Sequence, residues 1–127
     1  MVLDAWAVMA MLLGEPPAQR VRTLVLEDGP VICSINLGEV LYSLTRTHGQ
    51  ALASNRVDGV RQVVETIDPD WRLVEIAAEL KATGGLSYAD ALCLATGVRL
   101  DAPVATGDAE ILGRARPGRT IDLRQSG

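Results

Sequence analysis

Along this chain, apolar residues occur in two patterns. Some form short continuous runs bounded by turn residues, as buried strands do. Others recur every three or four positions, as on the inward face of a helix. Met1 to Leu3 reads as a first strand, Val31 to Ser34 as a second, Pro103 to Thr106 as another and Thr120 to Leu123 as the last. Ala5 to Leu13, AWAVMAMLL, is apolar on every side. A helix of that kind must be covered all round, by the domain or by a second copy of the chain. Gly14–Glu15–Pro16–Pro17 stops it. Ala18 to Glu27 is amphipathic, with Val21, Leu24 and Val25 inward. A helix from Asn36 to His48 presents Leu37, Val40, Leu41 and Leu44. A more polar one follows from Gln50 to Thr66, weakened by Gly59. Ile67–Asp68–Pro69–Asp70 marks a break, with a short strand as an option just before it. Trp71 to Thr83 turns Leu73, Ile76, Ala77 and Leu80 inward and ends at Gly84–Gly85. Ser87 reads as the N-cap of a helix carrying Ala89, Leu92, Leu94, Ala95 and Val98, broken by Asp101 and Pro103. After Asp108 come a short segment, Ala109 to Leu112, and a basic loop with Arg114, Arg116 and Arg119.

Strands alternating with helices predict an α/β layer fold with a mostly parallel sheet. The 127 residues suit a single domain, 1–127, and 48% apolar content allows a core without disulfides or structural metal. No internal repeat, low-complexity tract or linker stands out. No apolar run has the length of a membrane span, and a basic secretory leader is missing. Cys33 and Cys93 sit among apolar residues without metal-ligand spacing, which predicts buried thiols in a reducing compartment, the cytoplasm. A formal net charge of −4 argues against gripping nucleic acid by bulk electrostatics. It leaves room for an enzyme that meets nucleic acid through bound cations.

The topology brings four acids to one place. Asp4 follows the first strand, Glu39 lies in the first turns of the helix after the second, and Asp108 follows the strand from Pro103. Asp90 opens the helix that returns antiparallel to that strand, so it starts where the strand ends. All four reach the carboxyl rim of the sheet, where parallel sheets place their sites. Glu27, Asp58, Glu65, Glu75 and Glu79 read instead as solvated helix surface, and Asp68, Asp70 and Asp101 as turn residues. Local structural roles compete: Ser87-x-x-Asp90 resembles a capping box, and Asp108 can cap a helix beginning at Ala109. Two unit charges about 4 Å apart repel by about 4 kcal/mol at an effective dielectric near 20. Helix N-termini offset part of this, and a divalent cation offsets far more. Oxygen ligands without paired His or Cys select Mg²⁺ or Mn²⁺ over zinc. His48 is the only histidine and falls at a helix end, so no Ser–His–Asp triad can be built. A carboxylate-held ion with open positions suits in-line hydrolysis of a phosphodiester.

VLDAWAVMAMLLGE, SINLGEVLYSL, LSYADALCLATG and VATGD together resemble the PIN-domain family, and within it the VapC-like toxin ribonucleases. The resemblance covers nearly the whole chain, and its last two segments are specific in combination. It implies a three-layer fold with a central sheet of four to five short strands flanked by helices. It implies that Asp4, Glu39, Asp90 and Asp108 are the catalytic, metal-binding acids. It further implies Mg²⁺- or Mn²⁺-dependent cleavage of RNA in single-stranded regions, a homodimer, and inhibition by a cognate antitoxin. Trp6 departs from the pattern, standing where many relatives carry Ser or Thr. Glu110 replaces a second aspartate and is a candidate fifth ligand. Thr106 matches the family's hydroxyl, and equally suits satisfying backbone at a strand end. Arg46, Arg114 and Arg116 are candidates for holding phosphate, with solvated surface as the competing role.

Other classes stay open on the residues alone. An aspartyl-nucleophile phosphatase would use Asp4, but typically needs an acid where Trp6 stands. A receiver-like or adaptor domain would want paired acids after the first strand and a late lysine, whereas Lys81 is the only lysine. No membrane partner is expected.

Overall fold

The structure, a computed structural model, describes residues 1–124. Residues 125–127 of the expected single domain lie outside the described residues. The strands are β1 (Val2–Leu3), β2 (Val31–Cys33), β3 (Glu65–Ile67), β4 (Val104–Thr106) and β5 (Thr120–Asp122). The helices are α1 (Ala5–Leu12), α2 (Ala18–Asp28), α3 (Ser34–His48), α4 (Gln50–Val63), α5 (Trp71–Ala82), α6 (Tyr88–Leu100) and α7 (Ala109–Arg114). The strands form one sheet in the order β3-β2-β1-β4-β5, and every pairing is parallel. The order runs outward from β1 in one direction through β2 and β3, and in the other through β4 and β5. The switch point therefore falls between the carboxyl ends of β1 and β4.

Alternation along the short strands divides the core in two. Leu3, Ile32 and Ala105 face a cluster with Val8, Val21, Leu37, Val40 and Val60 from α1 to α4. Val2, Cys33 and Val104 face the opposite way, onto Leu73 and Ala77 of α5, Leu92 and Ala95 of α6, and Ile111 of α7. The expected three-layer α/β fold with a parallel sheet is the one observed. Several boundaries move, and two of them show why. α3 begins at Ser34, capped by Cys33, so the second strand ends one residue sooner than its apolar run. The helix expected to reach Thr66 ends at Val63, and Glu65–Ile67 pairs with β2. Val57, Val60 and Val64 carry helical spacing up to the junction, while sheet pairing captures the residues beyond it.

No residue of the apolar helix α1 is fully exposed, and its partly buried side chains pack against the first core cluster. Ala7, Val8 and Ala10 are fully buried, Trp6, Met9, Met11 and Leu12 are half-buried, and Leu13 is exposed. Cys33 and Cys93 are free and buried, and burial pushes both thiols up, so neither is a poised nucleophile. No helix among the described residues is long and apolar enough to cross a membrane.

Candidate metal centre

Strand register fixes the first acid. Val2 lies opposite Val104 and Leu3 opposite Ala105, so the next residues, Asp4 and Thr106, come level across the switch point. Thr106 Oγ1 donates to Asp4 Oδ2 and accepts from the Asp108 backbone N–H at 2.9 Å. One hydroxyl thus joins the ends of both strands, and Thr106 does more than satisfy backbone. Asp4 also caps α1, its Oδ1 accepting from Ala7 N–H at 3.0 Å. Asp4 is buried, and that burial pushes its carboxyl up to about 7. The two hydrogen bonds oppose the shift, and the nearby charges of Asp108 and Asp90 add to it.

Asp90 lies in the first turn of α6, behind the N-cap Ser87, whose Oγ accepts from Asp90 N–H at 3.1 Å. Burial, then Asp108, push the Asp90 carboxyl up to about 6; Glu39 and Glu110 contribute in the same direction. Asp108 caps α7 through Oδ1, which accepts from Glu110 N–H at 2.8 Å and Ile111 N–H at 3.3 Å. The capping role and the rim position are therefore compatible: the residue that starts the helix also faces the other acids.

Asp90, Asp108 and Glu110 each offer a carboxylate oxygen, all within 4.8 Å of one another. Asp4 and Glu39 lie outside that tight group and act on it through charge. Glu110, left open from its spacing, belongs to the group. The signal for it was its place two residues after Asp108, in the first turn of a helix that Asp108 itself caps.

The site also uses residues whose role the sequence pattern left unread. Asn36 is almost completely buried, and its Nδ2 donates to Glu39 Oε1 at 3.2 Å and to the Ala89 carbonyl at 3.0 Å. It holds Glu39 of α3 against the first turn of α6, next to Asp90. The visible signal was an Asn-x-x-Glu pair on an otherwise apolar helix face. Trp6 forms a wall of the site: a Cβ at Gly107 would lie 2.3 Å from its Cζ2 atom. A side chain at the position before Asp108 would therefore need this ring to shift.

The chemistry of this group suits a hard divalent cation. The donors are all carboxylate oxygens, two of the acids are held well above the ordinary carboxylate range, and none of the salt bridges among the described residues reaches any of the five acids.

The PIN domain family model matches residues 1–116. This chain belongs to the PIN domain family. Among solved structures, a chain of a toxin–antitoxin complex from Klebsiella pneumoniae is similar with a TM-score of 0.75 at 18% identity, with 96% of each chain covered. VapBC2 from Rickettsia felis, bound to a DNA fragment from its promoter, gives 0.76 at 16% identity, covering 95% of this chain and 96% of that one. VapC20 from Mycobacterium tuberculosis, a toxin that cleaves the sarcin–ricin loop, gives 0.72 at 19%, covering 91% and 98%. At these identities the likeness is one of fold. No curated protein matches the sequence. PIN nucleases use divalent metal ions, and in this PIN domain the acids gather at the topological switch point. Of the arginines, Arg46 lies over the Tyr42 ring, 5.6 Å from its centroid, and its Nη1 donates to the Tyr42 hydroxyl at 3.2 Å.

Proposed function

We propose that this PIN domain is a Mg²⁺-dependent endoribonuclease toxin, with Mn²⁺ able to substitute, that acts in the cytoplasm and is neutralised by a cognate antitoxin. The observation that carries the reading is the convergence of Asp90, Asp108 and Glu110 on one small volume beside Asp4 and Glu39, in a chain of this family. Asp4, Glu39, Asp90 and Asp108 are assigned as the metal-binding acids, with Glu110 as a further donor. The similar toxin–antitoxin structures support an antitoxin partner, and the exposed Leu13 beside the partly buried Met9 and Leu12 of α1 supports a homodimer. Residues 1–127 are assigned to one nuclease domain.

A divalent cation bound here would polarise a phosphodiester and lower the cost of activating water for in-line attack. The protein's own part is to prepare the acids for it. Thr106 fixes the separation of Asp4 and Asp108, and Asn36 fixes Glu39 against α6. The carboxylates repel one another until a cation arrives, which makes the empty arrangement costly and the filled one favourable. With no histidine at the rim, proton traffic falls to carboxylates and water. Asp90→Asn is expected to abolish cleavage of single-stranded RNA, by at least about 100-fold, as expected for a reaction that depends on metal charge stabilisation. Its circular dichroism should match that of the parent chain. The measurement is gel-resolved RNA cleavage with Mn²⁺ and with excess chelator. Cleavage by the variant at the parent rate, or cleavage indifferent to chelator, would falsify the assignment.

A further inference from the structure

α7 links the acidic group to a second feature of the molecule. Its N-cap is Asp108 and its last residue is Arg114, so the two ends are separated by roughly 9 Å of helix. Arg114, Arg116 and Arg119 line a cleft of about 530 Å³ together with the apolar Ile76, Leu80, Leu94 and Val98 and the polar Thr83. Arg119 is engaged with Asp101. Arg114 and Arg116 form no salt bridge among the described residues, although Glu79 also lines the cleft. Arg114 is also seated in a particular way. Its guanidinium occupies the space a side chain at Gly85 would fill, 2.2 Å from where that Cβ would stand. Gly85 has φ of +81°, so glycine there serves both the turn and the arginine. The Gly84–Gly85 turn leads directly to Ser87, the cap of the helix that carries Asp90. Two guanidiniums without a salt bridge among the described residues thus line the cleft, and Arg114 stands one helix-length from the acidic group.

We propose that this cleft is a subsite for a flanking nucleotide of the RNA substrate. Arg114 and Arg116 hold the phosphate, and the base lies against the apolar side chains of the cleft. This rests on the ribonuclease reading above and adds where the strand runs as it leaves the acids. Guanidinium groups pair with phosphate oxygens through paired N–H donors and can also stack on a base. Apolar side chains hold a base by contact with its face, which gives little sequence discrimination.

The test uses the full chain carrying Asp90→Asn, so that bound RNA is not consumed. A fluorescein-labelled single-stranded RNA dodecamer is titrated by anisotropy over a range of KCl concentrations. Adding Arg114→Gln and Arg116→Gln should weaken binding about tenfold and flatten the log–log salt slope by about 1.4, the value for two lost phosphate contacts on a single strand. Val98 is exposed, so Val98→Glu can be added without disturbing the core; it should weaken binding by a similar factor through repulsion of the strand. Calorimetric Mn²⁺ affinity, measured in the chain with native Asp90, should stay unchanged in all three substitutions. If the parent chain cleaves RNA but the arginine substitutions leave affinity and salt slope unaltered, the phosphate contacts are wrong. Normal affinity with Val98→Glu removes the base from the cleft. A parent chain that neither binds nor cleaves RNA overturns the ribonuclease reading, and the subsite with it.

Discussion

A single buried amide sets the geometry of two acids. Asn36 Nδ2 gives its N–H donors to Glu39 Oε1 and to the Ala89 carbonyl, both acceptors, so only a donor fits between them. Asn36→Asp keeps the shape and removes both donations. It also sets a carboxylate against Glu39 at a separation of 3.2 Å in the native pair. Groups that orient metal ligands typically change affinity or activity by about 10- to 100-fold when replaced. Asn36→Asp is therefore expected to weaken Mn²⁺ binding by that factor in a calorimetric titration. If Asn36 acts through Glu39, the same change in a Glu39→Gln background should cost little more. Equal losses in both backgrounds would show that Asn36 acts only on the fold. Thr106 is the counterpart on the other side of the switch point, where one hydroxyl sets the distance between the ends of β1 and β4.

At the scale of elements, the critical joint is the two-residue passage from β4 to α7. α7 has six residues, too few to hold as an independent helix, so its place depends on the Asp108 cap, buried Ile111 and the Trp6 ring against Gly107. Gly107→Ala forces a Cβ to within 2.3 Å of that ring. Overpacking of this kind costs about 1–3 kcal/mol. Urea unfolding should report that loss, with a change in Trp6 emission, since Trp71 is exposed and insensitive to the joint. A variant as stable as the parent would mean that the ring moves aside freely. The elements themselves were largely legible in the sequence because each apolar face matches one period. Sheet order was legible only as a class, since short strands such as Val2–Leu3 state no partner. Strand β3 was blurred because Val57, Val60 and Val64 extend the helical spacing up to it. The rim position of Asp4, Asp90 and Asp108 followed from chain direction alone. The tight grouping with Glu110, the bridge by Thr106 and the clamp by Asn36 depend on register and rotamer, and no spacing rule encodes those.

For the whole molecule, the acids make stability depend on pH and metal in a particular sense. Burial holds Asp4 up at about 7 and Asp90 at about 6, against 3.8 for the ordinary carboxyl. The folded chain therefore keeps protons that the unfolded chain releases. Stability from these two groups is fully present below pH about 4 and is lost as pH rises through about 6 to 7. The opposite case, Asp70, is held down to about 2 by the Arg99 guanidinium, so its contribution changes only below pH about 4 and does not overlap this window. In chelator, the melting temperature should accordingly fall by several degrees between pH 5 and pH 8. Mn²⁺ at pH 8 should restore it, because a ligand that binds only the folded state stabilises it by mass action. At pH 5 the same ion should do less, since it must displace protons from the carboxylates it binds. A melting temperature that rises from pH 5 to pH 8 in chelator, or that ignores Mn²⁺ at pH 8, would mean that the acids are not held together at the rim.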